Sequence, residues 1–133
     1  MDEEKKKPFI SCFTVRKIEN GVQEWIVSRG YLDRQCSLKS FSKQIGYNSK
    51  IVSHVINRTW GCSFPLFVRS LRISYVEYYL SQLNGGFVKI SYLAHISGFS
   101  TYGRFSSAIK VSSGLSPREF VSLKANKECV QNA

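Results

Sequence analysis

The sequence predicts an all-α fold in which two similar helical lobes are joined by one long helix. Three observations carry this. A block of sequence occurs twice, at 38–68 and again at 90–121. Each copy spaces its apolar residues as a helix does and breaks them with a short glycine-bearing turn. No stretch alternates convincingly with the period of two that a half-buried strand requires.

The two copies align residue by residue. Leu38, Phe41, Ser42, Gly46 and Tyr47 match Ile90, Leu93, Ala94, Gly98 and Phe99 at an offset of 52. Val52, Ser53, Ile56, Gly61, Ser63, Phe67 and Val68 match Phe105, Ser106, Ile109, Gly114, Ser116, Phe120 and Val121 at an offset of 53, so the second copy carries one more residue in its turn. Helix, tight turn, helix is the pattern of a helix-turn-helix, whose second helix can enter a DNA major groove.

The elements follow in order. Residues 1–13 read as a charged, disordered lead-in. Residues 14–36 hold an N-terminal helix and a linker. That helix runs from about Thr14 to Arg29 on Val15, Ile18, Val22, Trp25 and Ile26, with Gly21 as a soft point and Gly30 as its stop. Lobe one spans 37–62. Ser37 caps a short helix burying Leu38, Phe41 and Ile45. After Gly46-Tyr47-Asn48, a second helix capped by Asn48 or Ser49 runs to Trp60 with Ile51, Val52, Val55 and Ile56 inward. The linker helix occupies 63–84, opens with Pro65 in its first turn and stops at Asn84-Gly85-Gly86. At about 20 residues it could reach ~30 Å, near the ~34 Å between successive major-groove faces. Lobe two spans 88–124. One helix ends near Ser97 and another runs from about Thr101 to Ser112. In Ser116-Pro117-Arg118-Glu119 the spacing of serine and glutamate forms a capping box, which opens a last helix ending near Lys124. Residues 125–133 are a tail.

Charge narrows the function class. The net charge is +10. Residues 34–118 hold eleven bases and a single acid, Glu77, whereas residues 1–33 and 119–133 are balanced. One sign of charge over a folded region is the footprint of a polyanion-binding surface. One mid-domain acid, with no Gly-rich phosphate loop and no nucleophile, base and acid at workable spacing, argues against an enzyme. Cys12, Cys36, Cys62 and Cys129 are too scattered for a metal finger or redox pair, so no metal or cofactor is expected and the thiols read as reduced. The start lacks an apolar signal core and no apolar run approaches a membrane span, so a cytoplasmic protein that does not enter membranes is expected.

The second copy, Ile90-Ser91-Tyr92-Leu93-Ala94-His95-Ile96-Ser97-Gly98-Phe99-Ser100 with Phe105, Ile109, Gly114, Ser116-Pro117 and Phe120, resembles the C-terminal signature of the AraC/XylS transcription regulators. Ser63-Phe64, Leu71-Arg72-Ile73 and Leu80 resemble that family's linker helix. The resemblance covers residues 37–123. It implies a homeodomain-like, AraC-type DNA-binding domain at 37–124, without catalytic activity, whose two recognition helices (about 49–60 and 101–112) enter adjacent major-groove segments of a bacterial promoter operator. Double-stranded DNA is the implied partner, with RNA polymerase as a further candidate. Two readers in one chain remove the geometric need for a dimer, so a monomer on DNA is expected. No effector-binding β-barrel precedes the domain, which fits a stand-alone reader or part of a longer regulator. Ser42, Ser97, Ile56, Ile109 and Gly103 depart from the family pattern, Gly103 by sitting inside the second recognition helix.

By register with the family, and because they are polar positions left over from the apolar stripes, the base-reading candidates are Lys50, Ser53, His54, Tyr102, Arg104, Ser106 and Ser107. The phosphate candidates are Lys39, Lys43, Asn57, Arg58, Lys89 and Lys110. The resemblance makes Arg72 a hydrogen-bonded structural guanidinium, not a DNA contact. Trp25, Trp60, Phe41, Phe64, Phe67, Tyr75, Tyr79, Phe99, Phe105 and Phe120 read as core. The alternative function is a degenerate regulator domain that binds DNA without sequence preference or serves as a protein-interaction module.

Overall fold

A computed structural model describes residues 9–83 and 87–132, with side chains as far as residue 125. Most of the charged lead-in, the Asn84-Gly85-Gly86 break and the Cys129 side chain lie outside the described residues. Among the described residues every regular element is helical: α1 (Cys12–Val27), α2 (Leu38–Ile45), α3 (Ser49–Trp60), α4 (Phe64–Ser81), α5 (Ile90–Ile96), α6 (Tyr102–Ser113) and α7 (Pro117–Asn132), with a short 3-10 turn at Gly30–Leu32.

The chain divides into two compact units. Lobe one comprises the residues up to Gly30 together with Cys36–Phe67; lobe two comprises Tyr31–Gln35 and the residues from Val68 onward. The sequence reading sets 14–36 apart from the domain proper. In the structure α1 instead belongs to lobe one and the segment after it to lobe two.

Lobe one is built around aromatic rings. Trp25 of α1 lies 4.7 Å from Phe41 and 5.9 Å from Phe64 between ring centroids, and Phe41 and Phe64 stack at 5.9 Å. Ile18, Val22, Val52, Val55 and Ile56 are buried in the same lobe. Burying a side chain of this size stabilises by about 1.5–3 kcal/mol, so α1 is a structural part of the lobe. Thr59 Oγ1 of α3 adds a 2.7 Å hydrogen bond to Glu19 Oε2 of α1.

The end of α1 departs from expectation. Its C-cap is Ser28, and Arg29 takes the left-handed conformation (φ 61°). Gly30 is not the stop. A Cβ there would overlap the Trp25 ring, so the glycine serves a tertiary approach that helix-ending rules do not register. Gly21 likewise lies close to Ile45, whose Cγ2 would be 3.2 Å from an added Cβ.

The core of lobe two joins Ile73, Val76 and Leu80 of α4 to Leu93, Ala94, Phe99, Phe105, Ala108, Ile109 and Phe120. Arg72 secures the incoming segment: Nε donates to the Tyr31 carbonyl at 2.7 Å, one terminal nitrogen donates to the Asp33 carbonyl at 3.0 Å, and the guanidinium lies over the Phe99 ring. Arg34 Nε donates to the Phe99 carbonyl at 3.3 Å. Gly98 (φ 89°) closes this corner, since a Cβ would sit 2.8 Å from the Leu32 carbonyl oxygen.

Other boundaries also move. The linker helix begins at Phe64 and ends at Ser81. The last helix continues past Lys124 to Asn132, because no glycine or proline follows Pro117 to stop it. Trp60 and Tyr75 are half-buried, and Leu66 is exposed. Of the family departures, Ser97 is buried with its hydroxyl donating to the Ala94 carbonyl, whereas the buried Ser42 hydroxyl has no partner.

Candidate nucleic-acid interface

Helices α3 and α6 are the second helices of the two repeats, and each is fixed at both ends. Asn48 caps α3 by accepting from the Lys50 N–H, and Gly61 ends it at φ 78°. Thr101 caps α6 by accepting from the Arg104 N–H, and Gly114 ends it, also at φ 78°. Three residues (46–48) run from the left-handed glycine to the cap of α3, and four (98–101) to the cap of α6. The extra residue of the second copy therefore lies in its turn.

Burial orients each helix. On α3, Val52, Val55 and Ile56 face the core; on α6, Phe105, Ala108 and Ile109 do. At 3.6 residues per turn, the opposite face of α3 carries Lys50, His54, Asn57 and Arg58, flanked on one side by Ile51 and on the other by Ser53. The equivalent face of α6 carries Gly103, Ser107, Lys110 and Val111, flanked by Arg104 and Ser106. Lys50, Asn57, Arg58, Gly103, Arg104, Ser107, Lys110 and Val111 are exposed, whereas Ile51, Ser53, His54 and Ser106 are half-buried.

The helical register thus brings Lys50, His54, Asn57 and Arg58 onto one face, and Ser107 and Lys110 onto another, with Arg104 exposed at its edge. Ser53 and Ser106 stand to one side, both half-buried at the edge of the apolar stripe. Tyr102 is 50% exposed but turned towards Phe105, with ring centroids 6.0 Å apart. Lys39 and Lys43 are exposed on α2, and Lys89 is exposed at the start of α5. Gly103 is the second residue of α6, not an interior one. In the first turn its N–H has no intrahelical acceptor, so the interior penalty applies only in part. Val111, 64% exposed, also lies on the outward face, although the sequence analysis took only polar positions as candidates.

The electrostatics remain one-sided. Glu77, the one acid of residues 34–118, pairs with Lys124 Nζ at 2.8 Å. Arg72 and Arg34 are committed to backbone carbonyls. Among the described residues, Lys39, Lys43, Lys50, Arg58, Lys89 and Arg104 are exposed and form no ion pair. Glu119 lies in the first turn of α7. The Ser116 backbone N–H donates to Glu119 Oε1 at 3.0 Å, and the Glu119 N–H donates to Ser116 Oγ at 3.2 Å, completing the expected capping box. Hydrogen bonds from the Ser116 backbone and then its hydroxyl, with a smaller contribution from Lys110, hold the Glu119 carboxyl below its ordinary value. Among the described residues no group of three His, Cys, Asp or Glu side chains could hold a metal ion, and no helix is long and apolar enough to cross a membrane.

No protein-family profile matches the chain, and no curated protein does. Solved structures do. The C-terminal domain of AraT, a response regulator from Geobacillus stearothermophilus, superposes with a TM-score of 0.69 at 20% identity over 80% of this chain and 84% of that one. A transcriptional regulator of the AraC-type DNA-binding-domain class from Chromobacterium violaceum gives 0.66 at 17% identity, over 86% and 97%. The DNA-binding domain of AdpA, a global transcriptional factor solved in complex with a target DNA, gives 0.71 at 10% identity, over 84% and 95%. The all-α fold is therefore that of AraC-type DNA-binding domains.

Proposed function

We propose that the chain is a sequence-specific, double-stranded DNA-binding transcription regulator that places α3 and α6 in adjacent major-groove segments. One observation carries this reading. Two equivalent helices, each capped at both ends and anchored by an apolar stripe, turn outward faces that bear cations and no acid. The target DNA bound by the similar AdpA domain supports the same choice of partner.

In this reading Lys50 and His54 of α3, and Arg104 and Ser107 of α6, meet base edges. Lysine and arginine suit guanine O6 and N7 as donors. Asn57, Arg58 and Lys110, one turn further on, meet phosphate, joined by Lys39, Lys43 and Lys89. Ser53, Ser106 and Tyr102 border the contact. The protein acts in the bacterial cytoplasm as a monomer on its operator, where RNA polymerase is the neighbour it would influence.

The test is selection of bound sites from a random duplex pool, followed by affinity for the winner and a scrambled duplex at two salt concentrations. The expected result is a motif of two blocks about one helical turn apart, bound ~10³-fold or more over scrambled DNA. Equal affinity for both duplexes, with a steep salt slope, would replace this reading with a non-specific coat. No binding to either would replace it with a protein-interaction module.

A further inference from the structure

Gly103 is unlike the other glycines of the described residues. Gly46, Gly61, Gly98 and Gly114 all take positive φ, and Gly21 and Gly30 are pressed against Ile45 and Trp25. Gly103 has neither reason. Its conformation is ordinary, and the nearest atom to an added Cβ would be Thr101 Oγ1 at 3.8 Å. An alanine would fit and would favour the helix. The fold therefore does not call for glycine here, yet the residue stands on the outward face of α6 beside Arg104 and Ser107. The equivalent position of α3 holds Lys50.

A glycine that the fold does not need is suited to the close approach of a ligand to the backbone. We propose that Gly103 is a clearance residue for duplex DNA. Its missing side chain lets the sugar–phosphate wall of the groove come against the α6 backbone, and this seating carries Arg104 towards the base edges. Lobe one, with Lys50 at this position, meets DNA through a side chain; lobe two meets it through bare backbone. The inference rests on the DNA-binding reading above and names how one lobe sets its depth in the groove.

The experiment compares wild type, Gly103→Ala, Gly103→Lys and Ser112→Ala for melting temperature and for affinity to the selected duplex. Ser112 lies off the outward face, so S112A raises the helical propensity of α6 without altering its contact surface. G103A should melt at or above the wild-type temperature yet bind about tenfold or more weakly, since one methyl group pressed into a tight contact forces the partners apart. G103K should also bind more weakly, although it adds a cation to a polyanion-binding face. S112A should bind as wild type does. G103A binding unchanged, or G103K binding more tightly, would overturn the clearance role, because an open surface rewards added charge. Failure of wild type to prefer its selected duplex would instead overturn the sequence-specific reading on which this inference rests.

Discussion

Lobe one and lobe two share a repeat but not a core. At equivalent positions α3 buries Val52, Val55 and Ile56, and α6 buries Phe105, Ala108 and Ile109. Where lobe two has Phe105, lobe one has the smaller Val52, and its aromatic packing runs instead through Trp25, Phe41 and Phe64. The repeat fixes caps, turns and the inward stripe. Trp25, from α1, is a core contribution that comes from outside the repeat. The outward faces diverge further. Lysine, histidine, asparagine and arginine on α3 become glycine, serine, lysine and valine on α6. With Arg104 at the edge of the α6 face, each helix keeps two exposed basic residues but at different positions.

The comparison breaks most readily in the core. Phe105→Ala should cost about 3–5 kcal/mol in chemical denaturation. Val52→Ala at the equivalent position of lobe one should cost less, because it removes fewer buried atoms. Equal losses would mean that the two cores are not built differently. Next is the Arg72 clamp, which has no counterpart among the described residues of lobe one. Arg72→Ala removes two charge-assisted hydrogen bonds to backbone carbonyls and should lower stability by about 2 kcal/mol. DNA affinity measured on the folded fraction should hardly move. An unchanged denaturation midpoint would show that the clamp contributes nothing.

A smaller effect, of opposite sign, is expected at Ser42. Its hydroxyl is buried without a partner, and the equivalent residue of lobe two is already Ala94. Ser42→Ala should stabilise lobe one by about 1 kcal/mol. A lower melting temperature would show that the hydroxyl is satisfied in solution. The smallest effect concerns the start of α7. The folded carboxyl of Glu119 is held below its ordinary value of 4.5, so its contribution is present above that value and lost as pH falls through the lowered one. Glu119→Gln should flatten the acid limb of a melting-temperature profile. An unaltered acid limb would exclude the capping box as its source.

Much of this was legible in the sequence because it is local. Ser37, Gly46, Asn48, Gly61, Gly114 and the Ser116–Glu119 pair announce helix ends through their own chemistry, and the structure uses each of them so. What was not legible depends on distant partners. Gly30 reads as a helix stop, but its role is to admit the Trp25 ring. Leu66 fits an apolar stripe yet is 41% exposed, because which side of α4 is covered is decided by the elements that pack on it. The last helix outruns its apolar pattern, since a helix needs a reason to stop and none is written there. At the candidate interface the helical register was readable for Lys50, His54, Arg104 and Ser107. The half-burial of Ser53 and Ser106 depends on how far the core stripe wraps each helix, which packing decides.

The account turns on both lobes reading sequence, each through its own outward face. The most direct measurement is site selection repeated with two variants, Lys50→Ala/His54→Ala and Arg104→Ala, beside wild type. The account predicts that each variant erases a different block of the two-block motif and leaves the other intact. Loss of the same block in both variants, or an unaltered motif in either, would contradict it.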